Sequence, residues 1–242
     1  MNKLLIRLDR PGWGAQLEKL VESGSMSLED ASQQLLLSSI KKKARVVESD
    51  RRSATDVLSI SKYVGDLKLV PRTGWVKRKV PSRIESVAEH SFRAAVLGLL
   101  LNDDSLDVGR VVSMALVHDL AECIAGDIAP DQGISDDEKR KLEEDAMQKI
   151  LGELQIPTAH EKLMELWQEY EARETPEGKA VKDLDRFEMV IQANEYELRH
   201  PELDLSEFFT SVRGRFTHPT VKQWFEELEA RRNLRRSEKN LC

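Results

Sequence analysis

The stretch Ala115-Leu-Val-His-Asp-Leu-Ala-Glu-Cys-Ile-Ala-Gly-Asp127 sets three ionisable side chains inside an apolar run. His118 and Asp119 are adjacent, and Glu122 follows four residues after the first and three after the second. Leu116, Leu120, Cys123 and Ile124 recur at helical spacing, which predicts a helix with its apolar face against a core. On such a helix the three polar groups share one sector. Unpaired charge against an apolar wall is costly. A divalent metal ion is one partner that removes the cost. A salt bridge within the helix beside a hydrogen-bonded core histidine is the other. Gly126 is placed to end the helix, and Asp127 follows it.

Two more stations carry similar groups. His90 lies in Glu89-His90-Ser91, and Asp185 lies in Lys182-Asp-Leu-Asp-Arg-Phe187 directly after the apolar Leu184. Taken alone, His90 reads as a surface or capping residue. Asp185 reads as an ion-pair partner of Lys182 or Arg186.

Helices must position these groups. Ser86 to Glu89 is a capping box and opens a helix of about 15 residues, with His90 in its first turn. The central helix is expected from Leu106 to Ile124. A second capping box, Ser135 to Glu138, starts a charged helix to Leu154, and Leu163 to Tyr170 belong to another. Thr175 with Pro176 opens a helix through Leu184 and Val190 to Arg199. Glu207 to Val212 and Pro219 to Arg232 are the last two. Upstream, Val57, Ile60, Val64 and Leu67 form an apolar stripe. A basic loop from Pro71 to Glu85 follows, holding Arg72, Lys77, Arg78, Lys79 and Arg83. No strand alternation, internal repeat or glycine-rich phosphate loop is present, so the fold class is all-α. The organisation expected is an N-terminal, partly helical extension over 1–52, a main domain over 53–235 and a polar tail over 236–242. Within the extension, helices are expected at Trp13–Val21 and from Ser27 to Val47.

The net charge of −6 argues against nucleic acid as a partner, which needs a basic face. Apolar residues at 40% with aromatics at only 5% suit helices packed by Leu, Val, Ile and Ala. Cys123 and Cys242 form no disulfide framework. The longest apolar run, Ala94 to Leu101, is broken only by Gly98 and is too short to span a membrane. With no signal-peptide pattern either, a cytoplasmic protein is expected.

Together, a His, a His-Asp pair and a distant Asp on separate helices resemble the HD-domain metal-dependent phosphohydrolase superfamily. Gly74-Trp75, Glu85 to His90, Ala115 to Glu122, Gly126 to Pro130, Lys182 to Asp185 and Gln192 to Tyr196 are similar to its 5′-deoxynucleotidase branch. The likeness runs from Asp56 to Arg231. It implies that His90, His118, Asp119 and Asp185 hold one divalent ion. This N/O donor set suits manganese, cobalt or magnesium, with zinc, iron or nickel as further options. The ion would polarise a phosphoryl group and lower the pKa of a bound water. Glu122 and Asp127 are the implied acid–base residues, and Glu143 an implied contributor to a second ion.

In the family an Arg-Trp pair grips phosphate and packs near the sugar. Here Gly74 precedes Trp75, so Arg72 or Arg78 is expected to supply the charge. Trp75 itself reads equally as a core-edge anchor. The implied activity is hydrolysis of deoxyribonucleoside 5′-monophosphates by a homodimer. An HD-type phosphodiesterase or triphosphohydrolase and a non-catalytic nucleotide-binding scaffold are the other readings.

Overall fold

The computed structural model describes residues 54–129 and 132–239, with Ser27, Asp30, Gln33 and Leu37 as isolated positions. The chain divides into a unit Met1–Ala54 and a unit Thr55–Cys242. In the first, the Ser27 hydroxyl accepts the Asp30 N–H at 3.2 Å, and residues 30, 33 and 37 are helical. The helix expected at Trp13–Val21 and the run up to Ser53 lie outside the described residues.

The second unit is all-α, with no strand among the described residues. Helix α1 covers 54–67. It is followed by α2 (Thr73–Lys77), α3 (Val87–Gly98), α4 (Val108–Val117), α5 (Glu122–Ala125) and α6 (Asp136–Gly152). Then come α7 (Pro157–Ala172), α8 (Pro176–Arg199), α9 (Ser206–Val212) and α10 (Pro219–Lys239). Both capping boxes form, at Ser86 and Ser135. The Thr175 hydroxyl accepts the Gly178 N–H to cap α8.

Helix α8 is the hub. It packs against α3, α4, α7, α9 and α10. Val181, Leu184, Val190 and Ala193 are fully buried, and so are Asp183 and Glu188. A helix buried on so many sides must satisfy its polar groups internally. Asp183 accepts the backbone N–H groups of Thr217 and His218 at 2.6 and 2.7 Å. Glu197 takes the buried Arg232 guanidinium at 2.6 Å. Helix α3 comes close because residue 98 has no side chain. A Cβ there would lie 3.2 Å from Val111 on α4 and 3.5 Å from Leu184 on α8.

Several expectations need correction. The central helix is not continuous from Leu106 to Ile124. It runs from Val108 to Val117, turns over 118–121, and resumes as α5. Leu116 and Ile124 are exposed, and the core side of the motif is Met114, Ala115, Val117, Leu120 and Ala121. The break rotates the later residues off the face that helical spacing assigns them. In α1, Val57 and Val64 face outward, while Tyr63 and Leu67 are buried. Asp56 is buried as well, because its carboxylate accepts the N–H groups of Gln155 and Ile156 at the start of α7. The basic loop is not all loop, since Thr73–Lys77 is helical. Helix α10 continues beyond Arg232 to Lys239, so the start of the expected tail is helical. No helix among the described residues is long and apolar enough to cross a membrane.

Candidate metal centre

His90 sits in the first turn of α3 and is fully buried. Its Nδ1 contacts a Glu188 carboxylate oxygen. His118 follows the last turn of α4, where its Nδ1 lies 2.8 Å from the Ala115 carbonyl. Both Nδ1 atoms face acceptors, so in the neutral rings both carry the hydrogen and each Nε2 offers a lone pair. Those two Nε2 atoms are buried and make no hydrogen bond. Carboxylates stand before them instead. His118 Nε2 is 3.1 Å from Asp119 Oδ2, and His90 Nε2 is 3.1 Å from Asp185 Oδ1. The donor atoms of His90, His118 and Asp119 all lie within 4.8 Å of one another. Asp185 joins through its contact with His90 and gives its other oxygen to Lys182 and Tyr170, at 2.7 and 2.9 Å.

Buried lone pairs aimed at carboxylates are what a divalent cation satisfies and what a neutral core does not tolerate. The donor set therefore fits such an ion. With no ion bound, the surrounding carboxylates draw a proton instead. Burial and the Arg72 charge oppose a proton on His90, but Glu188 and Asp185 outweigh them and raise its pKa to about 10, so a bound ion would take the place of the Nε2 proton. Burial would lift Asp119 and Asp185. His118, His90 and Arg72 hold the first below the usual carboxylate range, and Lys182 and His90 hold the second there.

Glu122 behaves in the opposite way. Burial first, then the neighbouring Asp119 and Asp127 charges, push its carboxyl well above the ordinary value. Its Oε2 is buried without a hydrogen bond. The left-handed Gly126, with φ 78°, turns the chain so that Asp127 follows at the pocket wall. Asp127 Oδ2 accepts the Thr73 N–H at 2.5 Å, and its carbonyl accepts the Thr73 hydroxyl at 2.6 Å. The far end of the same loop is tied by Arg72 N–H to the Glu85 carbonyl at 3.0 Å.

This anchoring brings Arg72 to the cluster, with Nη1 3.3 Å from Asp119 Oδ2. Burial works against the Arg72 charge, and four surrounding carboxylates, Asp127 foremost, more than restore it. Arg78 is exposed, bound by both oxygens of Glu207, and 5.9 Å above the Phe208 ring. Trp75 is only 1% exposed. Its indole N–H donates to Glu85, and its ring packs against Tyr196 and Phe208. Glu143 is buried beside Lys139 and stands outside the mutually close donor atoms. Arg72, Trp75, His118, Asp119, Glu122, Asp127 and Asp185 line one cavity of about 960 Å³, while His90 and Glu188 lie behind its wall.

Sequence reasoning missed Glu188, Tyr170 and Phe208, whereas Lys182 is the ion-pair partner it offered for Asp185. Only Glu188 left a signal, as an acid one turn after Asp185 on an otherwise apolar helix face.

Residues 64–224 match the HD domain family model. The human protein named 5′-deoxynucleotidase HDDC2 is 48% identical over 181 residues, covering 74% of this chain and 88% of its own. The fission yeast protein named 5′-deoxynucleotidase hdd1 is 42% identical, covering 67% and 83%. A predicted metal-dependent phosphohydrolase from Magnetospirillum magnetotacticum superposes with TM-score 0.60 at 28% identity, covering 76% and 97%. A conserved hypothetical protein from Pyrococcus furiosus gives 0.57 at 32%, covering 72% and 99%. A family match across most of the helical unit coincides with the converging histidines and aspartates, and the chain belongs to the HD domain family.

Proposed function

We propose that this protein is a 5′-deoxynucleotidase, releasing phosphate from deoxyribonucleoside 5′-monophosphates. The observation that carries the reading is the meeting of His90, His118, Asp119 and Asp185 beside the guanidinium of Arg72. A divalent ion held by those four residues would supply Lewis-acid polarisation of a phosphoryl oxygen. Manganese, cobalt and magnesium are the first candidates for this N/O donor set.

The chain's own groups divide the remaining work. Arg72 binds the phosphate, since it already reaches the cluster and is ringed by carboxylates that keep it charged. Glu122 takes the proton of the attacking water; its buried, unpaired oxygen suits that task. Asp127 holds the Arg72 loop through Thr73, which supports an orienting role. Replacing Arg72 with alanine removes a charge-assisted contact, so kcat/KM falls roughly 10- to 100-fold. Steady-state kinetics with a fixed metal supply measure this loss.

The deciding experiment is phosphate release from matched dNMP and NMP pairs, with metal content measured on the same protein. Faster release from the deoxy member supports the reading. Release from triphosphates but not monophosphates moves the assignment to an HD-type triphosphohydrolase. Binding of metal and dNMP with no release makes the protein a scaffold.

We assign a homodimer as the working form. Phe92, Val96 and Leu99 make one outward apolar face of α3, with Phe92 64% exposed. Sedimentation should give twice the chain mass for the parent and the monomer mass for Phe92→Glu. The half-buried free thiol of Cys123 suits a reducing cytoplasm.

A further inference from the structure

The face of His90 turned away from the cluster is as specific as the face turned toward it. Glu188 is fully buried and splits its two carboxylate oxygens. One meets His90 Nδ1, and the other accepts Arg93 Nε at 2.7 Å. Arg93 is held in turn by Glu195 at 2.8 Å, by Gln192, and by Glu85 at 3.3 Å. Glu85, His90 and Glu188 alone resemble a second ligand set, since their atoms are mutually close. Arg93 already supplies positive charge there by donating to both Glu85 and Glu188. The cluster is therefore complete without an ion.

Arg93 occupies only Oε1 of Glu188 and leaves Oε2 to the imidazole. The division of its oxygens couples α3 to α8 through the ring itself. We propose that Glu188, steadied by Arg93, is a positioning residue that fixes the His90 ring with Nε2 presented to the metal. A carboxylate behind a metal-ligating imidazole sets the ring's orientation and strengthens its donor nitrogen. The proposal rests on reading the site as a metal centre. Its test separates the two ideas.

Cobalt(II) is titrated into the chelator-stripped full chain, following heat and the visible d–d spectrum. If the parent binds no cobalt, the metal-site reading fails and the proposal falls with it. If the parent binds, Glu188→Gln should bind roughly 10- to 100-fold more weakly, the usual cost of losing such a partner. Its d–d bands should change as His90 loosens. Melting of the metal-free protein is recorded alongside. A purely structural role would lower the melting temperature and leave the spectrum of the loaded protein intact. Glu188→Asp, which keeps the charge but draws it back by one methylene, should give a smaller loss and a parent-like spectrum. It also serves if the glutamine variant fails to fold. Parent affinity and parent spectrum in the folded variants overturn the proposal.

Discussion

Replacing His118 with alanine should leave a folded protein that holds no divalent ion and releases no phosphate. The variant loses Nε2, one of the two imidazole nitrogens of the cluster that are buried without a hydrogen bond. Residues that merely support a ligand typically cost about 10- to 100-fold in metal affinity when removed. Loss of the ligand itself should exceed that range. Folding suffers less. The Nδ1 contact to the Ala115 carbonyl is one hydrogen bond at the end of α4, contributing about 1 kcal/mol. Asp119→Ala should empty the site equally, and it also strips Arg72 of its 3.3 Å partner. Metal analysis after dialysis, phosphate release and circular dichroism check all three points. A His118→Ala protein that retains stoichiometric metal would refute the ligand assignment.

Glu122→Gln should separate binding from turnover. The residue is buried 3% exposed, is not among the mutually close donor atoms, and differs from glutamine by one proton-accepting oxygen. Metal content should stay at the parent level while kcat falls about 10²- to 10⁴-fold, the usual range for general acid–base catalysis. Turnover at the parent rate would remove Glu122 from proton transfer. Stability offers a second check with a definite sign. In the metal-free protein Glu122 is raised well above its reference value of 4.5. A carboxyl raised on folding favours the native state below its unfolded pKa, and that advantage is lost as pH rises. The glutamine side chain cannot ionise. The melting temperature of Glu122→Gln should therefore gain on that of the chelated parent as pH climbs above 4.5. Parallel curves would contradict the raised pKa.

Of the proposed donors, only the His118-Asp119 pair stands out locally, set in an apolar run. His90, one residue past a capping box, and Asp185, after a core leucine, read as ordinary residues alone, and only the order of the motifs along the chain singles them out. What supports them was not legible. Glu188 meets His90 across 98 positions of chain, and Asp127 meets Thr73 across 54. No local pattern specifies those pairings. The break after Val117 was hidden for another reason. Apolar residues continue at helical spacing to Ile124, yet His118 bonds back to Ala115 and the following turn closes with Leu120 N–H to the Val117 carbonyl. Local polar contacts override the pattern there, and Ile124, beyond the break, emerges on the surface. In α1 half of the stripe holds, since Leu67 is buried and Ile60 packs on the core, while Val57 and Val64 face outward. Burial follows Tyr63, whose hydroxyl donates to Glu153 at 2.5 Å, and not the valines on either side.

The bare backbone at Gly98 gives the fold an adjustment point remote from any reactive atom. Val111 and Leu184, the side chains that fill its empty space, belong to the helices leading into His118 and Asp185. A methyl added there would stand 3.2 Å from Val111, so the neighbouring side chains would have to shift by a few tenths of an ångström. Gly98→Ala therefore measures how much slack this junction of three helices has while every proposed donor stays in place.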